Sequence, residues 1–201
     1  MLDDIQKIFK KLDNSNIKFR NSELDDRRMI IGNSKDRDDK YRALGGLAAN
    51  GNAQKILLNV DNTKNDECRQ ISEALDRIES LNDNNICLPF PETTVRNILE
   101  KVMGIEGCGI STATRLLAVK RPDLFLCVNE GNQGFIKELF GFRISGKYEI
   151  DKYIQLLKMI YNTDYFNHKL TKEEKQDEAL VTISKYRVAL LDSYLLQGEY
   201  E

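Results

Sequence analysis

Apolar side chains in this chain recur at the three- and four-residue spacing of an α-helix, and this periodicity limits the fold more than any other feature. The clearest case is residues 92–103, where Val95, Ile98, Leu99 and Val102 share one helical face. No segment shows the two-residue alternation that is typical of a half-buried strand. The pattern predicts helices over 2–12, 66–81, 92–103, 111–120, 133–140, 149–160 and 172–196, with two short helices within 40–60.

Local signals at the helix ends support this assignment. Pro91 precedes one predicted helix and Pro122 ends another, and Thr171 with Glu174 has the spacing of a capping box before the last helix. Residues 13–39 carry mixed charges and are predicted to form a solvated loop. With no linker between separable cores, residues 1–201 are expected to form a single, compact, all-α domain of many helices.

Composition excludes several classes of function. The 30 basic and 32 acidic residues give a net charge of −2, so any nucleic-acid site must be a local patch. A single histidine, His168, rules out a multi-histidine metal site. The four cysteines, at positions 68, 87, 108 and 127, lack the CxxC spacing of zinc and iron–sulfur sites. We therefore expect no metal and no cofactor.

The expected compartment is the cytoplasm. The N-terminal residues show no signal peptide, and no segment approaches 18 apolar residues, so no membrane partner is expected. Four unpatterned cysteines in such a chain are typical of reduced thiols. The sequence identifies no protein partner.

The most informative segment is 104–130, GIEGCGISTATRLLAVKRPDLFLCVNE, in which two glycines separate two predicted helices. Such a turn leaves backbone N–H groups uncovered at the start of the second helix, which favours binding of one phosphate. Residues 101–148 hold seven basic and four acidic side chains, a local excess of +3. The predicted nucleic-acid-binding residues are Gly107, Cys108, Gly109, Ile110, Ser111, Thr112, Arg115 and Lys120.

This string is not a dinucleotide-binding fingerprint, because the third glycine of GxGxxG would fall on Thr112. It resembles the helix-hairpin-helix motif, and over residues 92–140 it is similar to the helix-hairpin-helix (HhH-GPD-like) DNA glycosylase superfamily. The resemblance implies a hairpin at about 92–120 that grips double-stranded DNA through main-chain amides. It also implies a catalytic loop at 125–132. The start of the second helix, Ser111-Thr112-Ala113, looks like the adenine-excising branch.

The chain departs from that family at its catalytic position. The family's aspartate lies about twenty residues after the second glycine, where this chain has Asn129. An amide cannot act as a general base, but it can hold a water by hydrogen bonds. Glu130 offers an adjacent carboxylate, and Asn132 is either a third polar group of the site or the N-cap of helix 133–140. Ser111 stands where strand-cutting members have a lysine, so no Schiff base is expected.

Three functions remain open at this stage. The first is a monofunctional DNA glycosylase that hydrolyses the N-glycosidic bond of a flipped damaged or modified base, for example in bacterial defence against modified phage DNA. The second is a non-catalytic helix-hairpin-helix DNA-binding subunit of a repair or restriction complex, favoured by the asparagine at position 129. The third is a helical interaction protein in which residues 107–109 are only a turn.

Overall fold

The computed structural model describes residues 66, 69, 70, 72, 73, 91–145 and 148–191. Across these residues the regular secondary structure is helical and contains no strand, which confirms the all-α prediction for this part of the chain. The helices predicted at 2–12 and 40–60, and the loop predicted at 13–39, lie outside the described residues. The same holds for much of the helix predicted at 66–81, and the single-domain prediction therefore also extends beyond them.

Six α-helices are fully bounded within the described residues. They are α1 (Glu92–Met103), α2 (Ile110–Lys120), α3 (Gln133–Phe140), α4 (Glu149–Tyr161), α5 (Asp164–Asn167) and α6 (Glu178–Lys185). Two short 3-10 turns, Glu130–Asn132 and Glu174–Gln176, precede α3 and α6, and residues 187–191 are helical again. The predicted bounds of α1 and α3 are confirmed, and those of α2 and α4 differ by one residue at one end. Within the same residues, no helix is long and apolar enough to cross a membrane.

The prediction of one continuous helix over 172–196 is wrong. Thr171 and Glu174 do form a capping box, with backbone-to-side-chain bonds of 2.8 and 3.2 Å, but it closes only a 3-10 turn. The Asp177 carboxylate then caps α6 by accepting the N–H of Ala179 at 2.8 Å. Two start signals six residues apart compete for the same backbone, and the second begins a new helix. That helix ends at Lys185, before the next helical stretch begins.

Helix α2 lies at the centre of the described fold. All seven residues from Thr112 to Ala118 are buried, so the middle of this helix is covered on every side. Helix α1 packs against both α2 and α4 through apolar residues of the face that the sequence pattern predicts. Only the ends of α2 approach the surface, and its N-terminal end is the predicted phosphate-binding turn.

An apolar segment, residues 124–128, runs through the core without forming a helix or a strand. A buried backbone needs hydrogen-bond partners: the Arg121 carbonyl accepts from the Leu124 and Phe125 N–H groups, and side chains supply four further bonds. The bonds run from the Tyr161 hydroxyl to the Leu124 carbonyl, from the Tyr153 hydroxyl to the Leu126 carbonyl at 2.9 Å, from Asn132 Nδ2 to the Cys127 carbonyl at 2.7 Å, and from the Val128 N–H to Thr114 Oγ1 at 2.9 Å. Side chains from α2, α4 and the loop therefore fix the 124–128 segment in place.

Replacing Tyr153 by phenylalanine is expected to lower the free energy of unfolding by about 1–3 kcal/mol, because it leaves the buried Leu126 carbonyl without this donor. Burial raises the pKa of the Tyr153 phenol, so the hydroxyl stays protonated and able to donate. Urea denaturation of the two proteins measures the difference. Tyr148→Phe is the matched control, since this side chain is exposed and the expected change is under about 0.5 kcal/mol. Equal losses in both variants would contradict the prediction.

Candidate functional site

The turn between α1 and α2 places two exposed glycines at the N-terminal end of α2. Gly107 has φ of +82°, in the left-handed region that favours glycine. Gly109 has extended backbone and is the N-cap of α2, where no side chain makes a capping hydrogen bond. Ile105 and Ile110 are buried on either side of the turn, in the hydrophobic core that α1 and α2 share. The first N–H groups of α2 therefore lie at a surface turn, where no side chain caps them.

The predicted nucleic-acid-binding residues divide by burial. Gly107 and Gly109 are exposed, and Ser111 and Lys120 are partly exposed. The side chains of Cys108, Ile110, Thr112 and Arg115 are buried. Arg115 is the clearest correction, since it is 1% exposed and its guanidinium does not lie on the surface where a phosphate would bind. Its charge counts toward the basic excess predicted from the sequence, but packing around α2 buries it.

Arg121, at the C-terminal end of α2, forms a local ion pair. Arg121 donates to both carboxylate oxygens of Asp123, from Nε at 2.8 Å and from Nη2 at 2.7 Å. This bidentate pair neutralises the Arg121 charge. With Arg115 buried and Arg121 paired, two of the seven basic residues counted over 101–148 do not add a basic group at the turn. Lys120 is partly exposed but lies at the opposite end of α2, so any phosphate binding at the turn depends mainly on backbone amides.

Asn129 and Asn132 form reciprocal hydrogen bonds across the predicted catalytic loop. The Asn132 N–H donates to Asn129 Oδ1 at 3.2 Å, and the Asn129 N–H donates to Asn132 Oδ1 at 3.0 Å. This reciprocal pair forms a capping box around the turn Glu130–Asn132. Asn129 is partly exposed and Glu130 is exposed, so both can meet a ligand from solvent.

The structure supports one of the two sequence interpretations of Asn132 and not the other. Asn132 is the N-cap residue of α3, as predicted, although its side chain makes no capping hydrogen bond to that helix. It is 0% exposed and donates to the Cys127 carbonyl at 2.7 Å, so its side chain does not face a site open to substrate. Asn132 instead holds the shape of the loop that carries Asn129 and Glu130.

Thr114 connects this loop to α2, and sequence reasoning missed it. Its hydroxyl donates to the Ile110 carbonyl at 2.9 Å and accepts the Val128 N–H at 2.9 Å. Because Ile110 is the first residue of α2 and Val128 adjoins Asn129, two hydrogen bonds join the predicted phosphate-binding turn to the loop. Threonine in the middle of a buried helix gives no sequence signal for such a bond, since its partner is 14 residues away.

The other side of the loop is also fixed. The Gln133 amide makes two bonds of 3.0 Å to Ile144, one from Nε2 to the carbonyl and one from the Ile144 N–H to Oε1. This pairing ties the start of α3 to the chain that follows it. The Asn129–Glu130 loop therefore sits between two anchored segments, which suits a group that must hold one position.

Metal-binding and comparison data add no further assignment. Among the described residues, no group of three or more His, Cys, Asp or Glu side chains is arranged to hold a metal ion, and Cys108 and Cys127 are buried thiols. Comparison of the chain with protein-family models, curated proteins and solved structures gave no match.

Proposed function

We propose that this chain binds duplex DNA through the hairpin at 92–120, formed by α1, the turn and α2, and acts as a monofunctional DNA glycosylase. The observation that carries the proposal is the Thr114–Val128 hydrogen bond. It joins Val128, which adjoins Asn129, to α2 at Thr114, one helical turn after the first residue of that helix. An enzyme that grips a phosphate at one place and attacks the adjoining flipped nucleotide needs these two sites close together.

The phosphate site would use the N-terminal amides of α2. A Cβ placed on Gly109 would meet nothing within 4 Å, so the fold itself does not require glycine at this position. Glycine also allows an external group to approach the backbone closely. The helix N-terminus favours an anion, and the partly exposed Lys120 adds positive charge at the other end of α2. This arrangement suits a sequence-independent contact with the DNA backbone.

The chemistry would belong to Asn129 and Glu130. Asn129 would orient a water by hydrogen bonding, and the Glu130 carboxylate would accept its proton and stabilise positive charge on the sugar. The water oxygen bonds to C1′ as the C1′–N bond breaks, and the base leaves with the bonding electrons and takes up a proton from solvent, while Glu130 later returns the proton of the attacking water to solvent. Ser111 offers no amine, so no covalent enzyme–DNA intermediate forms. A modified base in phage DNA, excised in a bacterial defence, is one substrate that we propose.

A second candidate function is a non-catalytic DNA-binding subunit of a repair or restriction complex. Its support is the capping role of Asn129, whose side-chain oxygen accepts from the Asn132 N–H. A carboxamide in that position serves the loop without any reaction. This candidate keeps the hairpin and predicts salt-dependent DNA binding with no base release.

A base-release assay distinguishes the two candidates. Protein is incubated with duplexes bearing damaged, mismatched or phage-type modified bases, and abasic sites are then cleaved with hot alkali. The enzyme is expected to give strand breaks that require alkali. Asn129→Ala and Glu130→Gln are each expected to slow their formation by about 100-fold.

The matched control is Glu138→Gln, which alters another exposed glutamate while leaving the loop unchanged. It is expected to release base at the wild-type rate. Breaks that form without alkali would contradict the monofunctional assignment. Salt-dependent binding with no abasic sites on any duplex would favour the binding subunit over the enzyme.

A further inference from the structure

We propose that Thr114 is a positioning residue that sets the Asn129–Glu130 loop relative to the DNA-bound end of α2. This inference rests on the proposed glycosylase function. Thr114 is fully buried and so does not touch DNA itself. Its hydroxyl group fixes the loop relative to α2.

The hydroxyl is suited to this role because both of its hydrogen-bonding capacities are used in fixed directions. Its proton points to the Ile110 carbonyl, one helical turn back, at 2.9 Å. This leaves a lone pair directed at the Val128 N–H, also at 2.9 Å. The order from the turn to the loop is therefore Ile110 carbonyl, Thr114 hydroxyl, Val128 N–H, and then Asn129.

The other side chains that bond to the 124–128 segment do not provide this link. Tyr153 and Tyr161 reach it from α4, and Asn132 reaches it from the loop itself. The Arg121 carbonyl, at the C-terminal end of α2, accepts from the Leu124 and Phe125 N–H groups at 3.0 Å, but these bonds lie at the start of the segment, away from the loop. Of the bonds described for this segment, that of Thr114 joins its loop end to α2. Removing the Thr114 hydroxyl would leave the segment attached to α4 and to Arg121 but would remove this link between the loop and the helix proposed to hold the DNA.

Catalysis is sensitive to such a release. A shift of about 1 Å in a reacting group can cost roughly 100-fold in rate even when binding is retained. The backbone amides at the start of α2 are unchanged by a substitution at Thr114, so DNA affinity should persist. The expected signature is a slower chemical step with nearly unchanged DNA binding.

The test uses Thr114→Val, which keeps the shape and removes the hydroxyl, and Thr114→Ser, which keeps the hydroxyl. Single-turnover base release should fall at least about 10-fold in Thr114→Val, with the dissociation constant for DNA within about twofold of wild type. Thr114→Ser should release base within about threefold of the wild-type rate. A wild-type rate in Thr114→Val would overturn the proposal, as would equal losses of rate and affinity.

A second measurement does not depend on activity. Hydrogen–deuterium exchange of residues 125–132 should speed up by about 10-fold in Thr114→Val and stay at the wild-type rate in Thr114→Ser, because the Val128 N–H loses its acceptor only in the valine variant. Exchange in α4 should be unchanged in both variants. If the wild-type protein releases no base, the glycosylase proposal fails, and unchanged exchange over 125–132 would separately refute the link through Thr114. Faster exchange throughout α4 as well would show general destabilisation and overturn the positioning role.

Discussion

Replacing Asn132 by aspartate is expected to lower the free energy of unfolding by about 3–5 kcal/mol. The Asn132 side chain is 0% exposed, and its amide nitrogen donates to the Cys127 carbonyl at 2.7 Å. An aspartate at this position places a carboxylate oxygen against that carbonyl, where two acceptors repel and neither has a proton to share. Burial also removes the water that would otherwise solvate the charge.

Chemical denaturation at pH 7 measures this loss, and Asn167→Asp is its matched control. Asn167 Nδ2 also donates to two backbone carbonyls, those of Tyr161 at 2.8 Å and Thr163 at 3.0 Å. Because Asn167 is exposed, water can replace the lost donor, and the expected change is under about 1 kcal/mol. Similar losses in the two variants would show that burial of Asn132 does not determine the decrease in the free energy of unfolding.

Features that depend on neighbouring residues along the chain could be predicted from the sequence. The apolar spacing in α1 places Val95, Ile98, Leu99 and Val102 on one face, and the structure buries all four. The bounds of α3 and the glycine turn before α2 also follow from local signals. In each case the pattern and its structural consequence lie within one or two helical turns.

Features that depend on distant packing could not be predicted in this way. The sequence predicts that Arg115 of α2 contacts a nucleic acid, yet packing around this helix buries its side chain. Helix periodicity describes the faces of a helix but not the number of faces that other elements cover. For the same reason a positive charge counted along the sequence overstated the charge at the surface.

In the candidate site, too, local features could be predicted from the sequence and contacts between distant residues could not. The turn was predicted from local residues and the loop from the family resemblance, but neither indicated the bond that joins them. Thr114 and Val128 are 14 residues apart, on a helix and on an irregular segment, and nothing in either local pattern indicates that they meet. Asn132 was predicted as an N-cap of α3, which it is, but its bond to the Cys127 carbonyl on the buried segment was not predicted.

Replacing Gly109 by alanine is expected to weaken binding to duplex DNA by at least about 10-fold while leaving the protein folded. The backbone at Gly109 has φ of −93° and ψ of −171°, which alanine adopts readily, and its Cβ would meet nothing within 4 Å in the protein. The loss of a good N-cap residue should cost under about 1 kcal/mol. The added methyl group therefore acts mainly on a bound phosphate, by keeping it from the amides of α2.

Two further alanine variants serve as comparisons for this measurement. Gly134→Ala also adds a methyl group to open space but lies in α3, so its DNA affinity should match wild type. Gly107→Ala forces alanine to φ of +82°, so it should instead lower the free energy of unfolding by about 1–2 kcal/mol. Fluorescence anisotropy of a labelled duplex at two salt concentrations compares the affinities. Wild-type affinity in Gly109→Ala would exclude backbone amides at this turn as the DNA contact, because the methyl group has no other neighbour to obstruct.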